Sequence, residues 1–151
     1  MLIRVGGAGD VEVVVALRHA ALSASAPSVY SAREVGELLD GLDVDELRAM
    51  IGDRQLFVAE NDGRIVGCAG WRGKYLRHVY VAPDSQQEGV GKRLVAHAES
   101  DFQRRTSAPV IHVASVIYAR PFYEKLGYEP TAKERSGSEP YWMKKTFASR
   151  R

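Results

Sequence analysis

The stretch Val79-Tyr80-Val81-Ala82-Pro83-Asp84-Ser85-Gln86-Gln87-Glu88-Gly89-Val90-Gly91-Lys92-Arg93-Leu94 joins a strand to a helix through a glycine-rich loop. Tyr75–Val81 reads as a strand that Pro83 terminates. After Gln86-x-x-Gly89-x-Gly91, the residues Gly91, Leu94, Val95, Ala98 and Phe102 recur at helical spacing to about residue 105. Glycines at such a junction let the backbone approach a ligand and turn successive N–H groups inward. The second glycine opens the helix, whose first turn adds unpaired donors and the positive end of its dipole. A pyrophosphate suits such a loop best. Taken alone it reads equally as a plain strand-to-helix turn. It is neither the Gly-x-Gly-x-x-Gly fingerprint nor a P-loop.

Upstream, Leu2–Val5 reads as a strand, and Asp10 as the N-cap of a helix over 11–24 with Val14, Leu17 and Ala21 on one face. Ser31 with Glu34 forms a capping box, and Asp43 with Glu46 starts a short helix carrying Leu47, Met50 and Ile51. The period then shortens. Gln55–Glu60, Ile65–Trp71 and Tyr75–Val81 make an antiparallel meander turned at Asp62-Gly63 and Arg72-Gly73. Downstream come a strand at Pro109–Ala114, a helix Tyr118–Leu126 ended by Gly127, and strands Tyr128–Lys133 and Tyr141–Phe147. The fold class is α+β: one mixed, mostly antiparallel sheet with helices on both faces. The step from 75–81 to 109–114 is a parallel crossover, so a ligand crevice is expected between those strands. A single domain spans 1–151.

Composition excludes more than it identifies. The chain has 151 residues, 45% of them hydrophobic, and a net charge of +2, too small to make polyanion binding the default. The charge is uneven: residues 31–62 carry about −6 and 72–151 about +7. Either this is a solvated surface, or an anionic ligand docks on the C-terminal half. The lone Cys68, in an apolar run, reads as a small buried filler, with a reactive thiol as the alternative. No metal-spaced Cys/His cluster, signal-peptide layout or membrane-length apolar run occurs. A soluble, cytoplasmic protein is expected.

The second informative segment is Ala119-Arg120-Pro121-Phe122-Tyr123-Glu124-Lys125-Leu126-Gly127-Tyr128. Together with Gln86-x-x-Gly89-x-Gly91, about 25 residues earlier, it resembles the signature motifs of the GNAT superfamily of acyl-CoA-dependent N-acetyltransferases. The resemblance covers nearly the whole chain and is strongest over 75–128. It implies acetyl-CoA as co-substrate, transfer of its acetyl group to a primary amine by direct attack in a ternary complex, and the GNAT fold. It assigns the pyrophosphate to backbone N–H groups from Gln87 through Glu88, Gly89, Val90 and Gly91 to Lys92, with Gln86 and Arg93 flanking. It places the pantetheine arm along Val79, Tyr80 and Val81, and cofactor contacts at Ala119 and Phe122. The N–H of Val81 would polarise the thioester carbonyl, and Tyr123 would protonate the departing thiolate.

Chemistry supports those roles. A fixed N–H facing a tetrahedral oxyanion lowers the barrier by roughly 3 kcal/mol. A thiolate with a pKa near about 8.5 is well served by a phenol near about 10. A packed aromatic beside Phe122 is the alternative for Tyr123. The attacking amine must be neutral, so a base is needed. The strand glutamate that histone-acetylating members use is Tyr75 here, and the second motif's asparagine is Val116. His78, Glu60, His112 or a bound water remain candidates for the base. Tyr30, Trp71, Tyr75, His78, Tyr141 and Trp142 are candidates to line the acceptor pocket, with ordinary packing as the alternative for each.

The acceptor is a small molecule or a peptide, and neither a nucleic acid nor a membrane is expected as partner; a homodimer stays open. Two rivals remain. One is a non-catalytic acyl-CoA sensor or scaffold of the same fold. The other is a nucleotide- or nucleic-acid-binding module using the basic C-terminal half.

Overall fold

The computed structural model describes residues 1–131 and 139–148. Strand β1 (Leu2–Val5) leads through a 3-10 turn into helix α1 (Val11–Ser25). Asp10 stands at the start of α1 as expected, but its carboxylate does not cap the helix. It accepts from the Gly7 N–H at 2.7 Å and from both Arg4 terminal nitrogens at 2.7 and 3.0 Å. A two-point, charge-assisted bond outcompetes a neutral cap. It also holds the Asp10 carboxyl below the usual carboxylate range.

Helix α2 (Ala32–Asp40) starts at the expected capping box, with Ser31 Oγ accepting the Glu34 N–H at 3.2 Å and Glu34 accepting the Ser31 N–H at 2.9 Å. Asp43 caps α3 (Val44–Gly52) by accepting the Glu46 N–H at 3.0 Å. Strands β2 (Leu56–Asn61), β3 (Arg64–Arg72) and β4 (Tyr75–Val81) form the meander. Asp62 and Gly63 both take positive φ, 52° and 77°, as a primed two-residue hairpin requires. The second turn lies one residue later than expected, at Gly73-Lys74, because Arg72 still pairs with Tyr75.

Helix α4 (Val90–Thr106) then crosses to β5 (Val110–Ser115). The expected helix over 118–126 divides into a 3-10 turn, Ile117–Ala119, and α5 (Arg120–Lys125). Pro121, with no N–H to donate, favours the start of a helix there. Of the expected strand Tyr128–Lys133, β6 (Glu129–Pro130) pairs with β7 (Tyr141–Thr146), and residues 132 and 133 lie outside the described residues.

The sheet has the order β1-β2-β3-β4-β5-β7-β6, antiparallel except for β4 beside β5. Alternation along β2 feeds two cores. Phe57 and Ala59 join Val90, Leu94, Ala98 and Phe102 of α4 on one face; Leu56 and Val58 join Val14, Leu17, Leu47 and Met50 of α1 and α3 on the other. Phe102 alone, 1% exposed, contributes about 2–3 kcal/mol of burial.

An irregularity in β4 positions the site. Register with β3 shifts between Cys68–Tyr80 and Gly70–Arg77, and His78 takes φ 55°. This bulge inverts the alternation, so Leu76, Val79 and Val81 all pack toward the α4 core. Arg77 and His78, consecutive residues, both reach Glu46 of α3, at 2.9 and 3.2 Å. The bulge also increases local twist. Only Tyr75 of β4 pairs in register with β5, at His112, and beyond that point the two strands separate.

A second polar cluster pins β7 to α4. Buried Glu99 accepts from Tyr128 Oη at 2.7 Å and from Lys145 Nζ at 2.9 Å. Glu99→Ala removes the shared acceptor and is expected to lower the unfolding free energy by about 3 kcal/mol. The check is the urea midpoint; a change equivalent to less than about 0.5 kcal/mol would show that water replaces the carboxylate.

Candidate active site

Where β4 and β5 part, two adjoining cavities open, of about 450 and 530 Å³. Both are lined by Ser25, Val79, Val81, Gln86, Tyr118, Ala119 and Tyr123. The smaller extends toward α1 and the 41–43 loop, the larger over the glycine-rich loop and α5.

The ladder defines what Val81 offers the cleft. Ala82 donates to Val66 at 2.8 Å, and Tyr80 lies opposite Cys68. Strand alternation therefore points both backbone groups of Val81 away from β3. Its carbonyl is taken by Gln86 Nε2 at 3.2 Å. Its N–H faces the gap left by β5.

At the loop, Gln87 and Gly89 take left-handed φ, 67° and 81°. Gly89, not Gly91, is the N-cap of α4. The first bond into the helix runs from the Arg93 N–H to the Gly89 carbonyl at 3.1 Å, so the N–H groups of Val90, Gly91 and Lys92 stay outside the ladder. Gly91 serves by close approach: a Cβ there would lie 3.2 Å from two atoms of the Phe122 ring. Without one, α5 packs directly on the start of α4.

Tyr123 is buried, 6% exposed, between the rings of Phe122 at 5.1 Å and Tyr128 at 5.5 Å. Its hydroxyl makes no hydrogen bond among the described residues, although it lines both cavities. Burial, then the neighbouring Tyr80 and Tyr118, push its pKa well above the ordinary phenol range, so it keeps its proton. His78 lines the smaller cavity, and its Nε2 lies 3.2 Å from Glu46 Oε1. Burial, with Arg77 assisting and Glu46 opposing, lowers its pKa below the ordinary histidine value.

The other expected residues divide. Gln86, Gln87, Gly89, Val90, Gly91, Lys92, Ala119 and Phe122 line the larger cavity with Val79 and Val81. Tyr80 turns to the smaller one, its hydroxyl accepting from Arg18 Nε at 3.3 Å. Glu88 is exposed and lines neither. Arg93, about 100° round α4 from Lys92, faces away from the cleft toward Met1–Ile3. Tyr75 and Trp142 line the smaller cavity.

Three residues expected at the acceptor wall line neither cavity. Trp71 belongs to the α4 core, its Nε1 donating to buried Asp101 at 2.8 Å. Tyr30 is a buried strut, its hydroxyl accepting the Ile117 N–H at 2.9 Å. Tyr141 stacks beneath Arg120 at 4.7 Å, outside both cavities. Among the candidate bases, Glu60 is committed to Arg4 at 2.7 Å and His112 sits behind Tyr75; neither lines the cleft. Cys68 is fully buried, its thiol donating to the His78 carbonyl at 3.0 Å and its pKa pushed up to about 12 by burial.

Sequence reasoning missed Arg18, Glu46 and Tyr118. Arg18 had a signal: it interrupts the apolar stripe of Val11, Val14, Ala21 and Leu22 on α1. Glu46 was hidden by its capping position. No group of three or more His, Cys, Asp or Glu able to hold a metal occurs among the described residues, and no helix there is long and apolar enough to cross a membrane.

The family model described as an acetyltransferase (GNAT) domain matches residues 27–146. A tRNA(Met) cytidine acetyltransferase, TmcA, of Aeropyrum pernix is 30% identical over 93 residues, which cover 62% of this chain. The match spans only 12% of that relative's length. A GCN5-related N-acetyltransferase from Rhodopseudomonas palustris superposes with a TM-score of 0.86 at 22% identity, covering 97% of this chain and 95% of that one. The PaiA N-acetyltransferase of Thermoplasma acidophilum, solved with coenzyme A, gives 0.77 at 17% identity over 97% and 98% of the two chains. With its mixed seven-stranded sheet and parted β4 and β5, the chain belongs to the GNAT acetyltransferase family.

Proposed function

We propose that the protein transfers an acetyl group from acetyl-CoA to a primary amine by direct attack in a ternary complex. The carrying observation is Tyr123, a buried, protonated phenol without a partner among the described residues, at the junction of the two cavities. The larger cavity takes the cofactor. Its pyrophosphate rests on the N–H groups from Gln87 to Lys92, and its pantetheine arm fills the gap beside Val79–Val81 that β5 leaves. The smaller cavity takes the amine.

In the reaction His78 accepts the ammonium proton and the amine nitrogen attacks the thioester carbonyl. The oxyanion forms against the Val81 N–H. Collapse expels the CoA thiolate, which takes the Tyr123 proton. The remaining extra proton on the new amide nitrogen passes to the Tyr123 phenolate and restores the phenol. With Cys68 buried and bonded, no acyl-enzyme is needed. A cytoplasmic location, where a lone thiol stays reduced, fits this reading.

Saturating acetyl-CoA, at about a hundred times its Kd, is expected to raise the melting temperature by roughly 5–10 °C. Amine-dependent release of CoA thiol is expected alongside. An unchanged melting temperature would overturn the reading. Binding without thiol release from any amine would instead favour the sensor.

A further inference from the structure

Three charged side chains are buried among the described residues: Arg18 at 9% exposure, Glu99 at 7% and Asp101 at 4%. Two of them have opposite charges beside them. Glu99 is paired with Lys145 at 2.9 Å, and Asp101 with Arg104 and Arg105. Arg18 has none. Its Nη1 and Nη2 donate to the carbonyls of Leu39 and Leu38 at 3.0 and 2.5 Å, and its Nε to Tyr80 Oη at 3.3 Å. All three acceptors are neutral. A guanidinium has five N–H donors, so two remain. The carbonyls belong to the last turn of α2, whose dipole offsets only part of a full charge.

Arg18 lines the smaller cavity. The other charges on that wall are accounted for. Arg77 is held by Glu46 at 2.9 Å, and Asp43 is an exposed rim residue that caps α3. Arg18 is therefore the buried cation of that wall with no counter-ion among the described residues. A buried charge without a counter-ion is costly, and a ligand that fills the space can supply one.

We propose that the acceptor amine also bears a carboxylate, which docks on Arg18 while its nitrogen faces His78. This rests on the acetyltransferase reading of the same cleft. One guanidinium with two free N–H donors matches one carboxylate. About 450 Å³, shared with the end of the cofactor arm, accommodates a compound of amino-acid size.

The test measures thiol release with L-amino acids and short ω-amino acids, each against its own carboxamide. Wild type is compared with Arg18→Lys and Arg18→Met. For the preferred acceptor, the carboxylate is expected to raise kcat/KM about ten- to a hundredfold over the carboxamide. That ratio should fall to within about twofold in Arg18→Met and be intermediate in Arg18→Lys. Carboxamides that react as well as the acids overturn the proposal, and so does an Arg18→Met variant that slows both alike. If Arg18→Met does not fold, the wild-type ratio and Arg18→Lys decide. If no amine is acetylated, the acetyltransferase reading fails separately. Calorimetry of the same pairs on CoA-loaded protein then decides the site: carboxylate-selective binding lost in Arg18→Lys supports it, and equal or absent binding overturns it.

Discussion

Tyr123→Phe is expected to lower kcat about a hundredfold or more, with the acetyl-CoA-induced rise in melting temperature retained. The substitution deletes one oxygen that bonds to nothing among the described residues, so no buried partner is orphaned. The ring contacts to Phe122 and Tyr128 survive, and stability should hold within about 1 kcal/mol. Any large loss of turnover must therefore come from the missing proton. Burial keeps that proton in place across the working range, because an ionised phenol would be a desolvated charge among Tyr80 and Tyr118. The same burial makes the phenol a weaker acid than usual, so transfer to the CoA thiolate, near about 8.5, is uphill. It depends on the donor being aimed at the sulfur and on the phenolate regaining a proton from the product nitrogen. Turnover within about threefold of wild type would remove Tyr123 from the acid role. The sulfur would then take its proton from water.

The glycine-rich half of this cleft was readable because it is built from local chemistry. Ser31 and Glu34, Asp62-Gly63, and the spacing of Gly89 and Gly91 each constrain a few neighbouring residues, and each forms its expected turn or helix start, although the N-cap of α4 is Gly89. Fold class followed from the order of such elements. The half toward α1 was not readable, because it depends on which strand face a residue takes. The bulge at His78 inverts that choice for every later residue of β4, and no glycine or proline marks it. Trp71 shows the same dependence on strand face by ordinary alternation: this aromatic of the adjacent strand is buried under α4, away from the cleft. Long-range partners were equally hidden. Glu46 and His78 are 32 residues apart, and Arg18 and Tyr80 are 62 apart. Asp10 shows the same limit in reverse. Its local capping signal lost to Arg4, a partner supplied by the neighbouring strand.

His78→Asn is expected to reduce kcat/KM about a hundredfold at pH 7, with the deficit shrinking as pH rises. Asn is chosen because it tolerates the left-handed φ of 55° that the bulge imposes. The groups around the imidazole come from four elements: Arg18 on α1, Glu46 on α3, Cys68 on β3, and Arg77 and Tyr80 on β4. Burial and the two arginines disfavour the cation, Glu46 favours it, and the net shift is downward. The ring is therefore neutral at pH 7. If Nε2–H donates to Glu46, Nδ1 presents its lone pair to the cavity, where it has no partner within the described chain. Wild-type kcat/KM should accordingly be flat near neutrality and fall only in acid, below the ordinary imidazole range, where the lowered pKa finally lets the ring take up a proton. The variant has no such acceptor and depends on amines already neutral in solution. Its rate should climb about tenfold per pH unit toward the amine pKa near about 10.4. A deficit that stays constant from pH 6 to 9 would mean that His78 shapes the bulge without taking the proton.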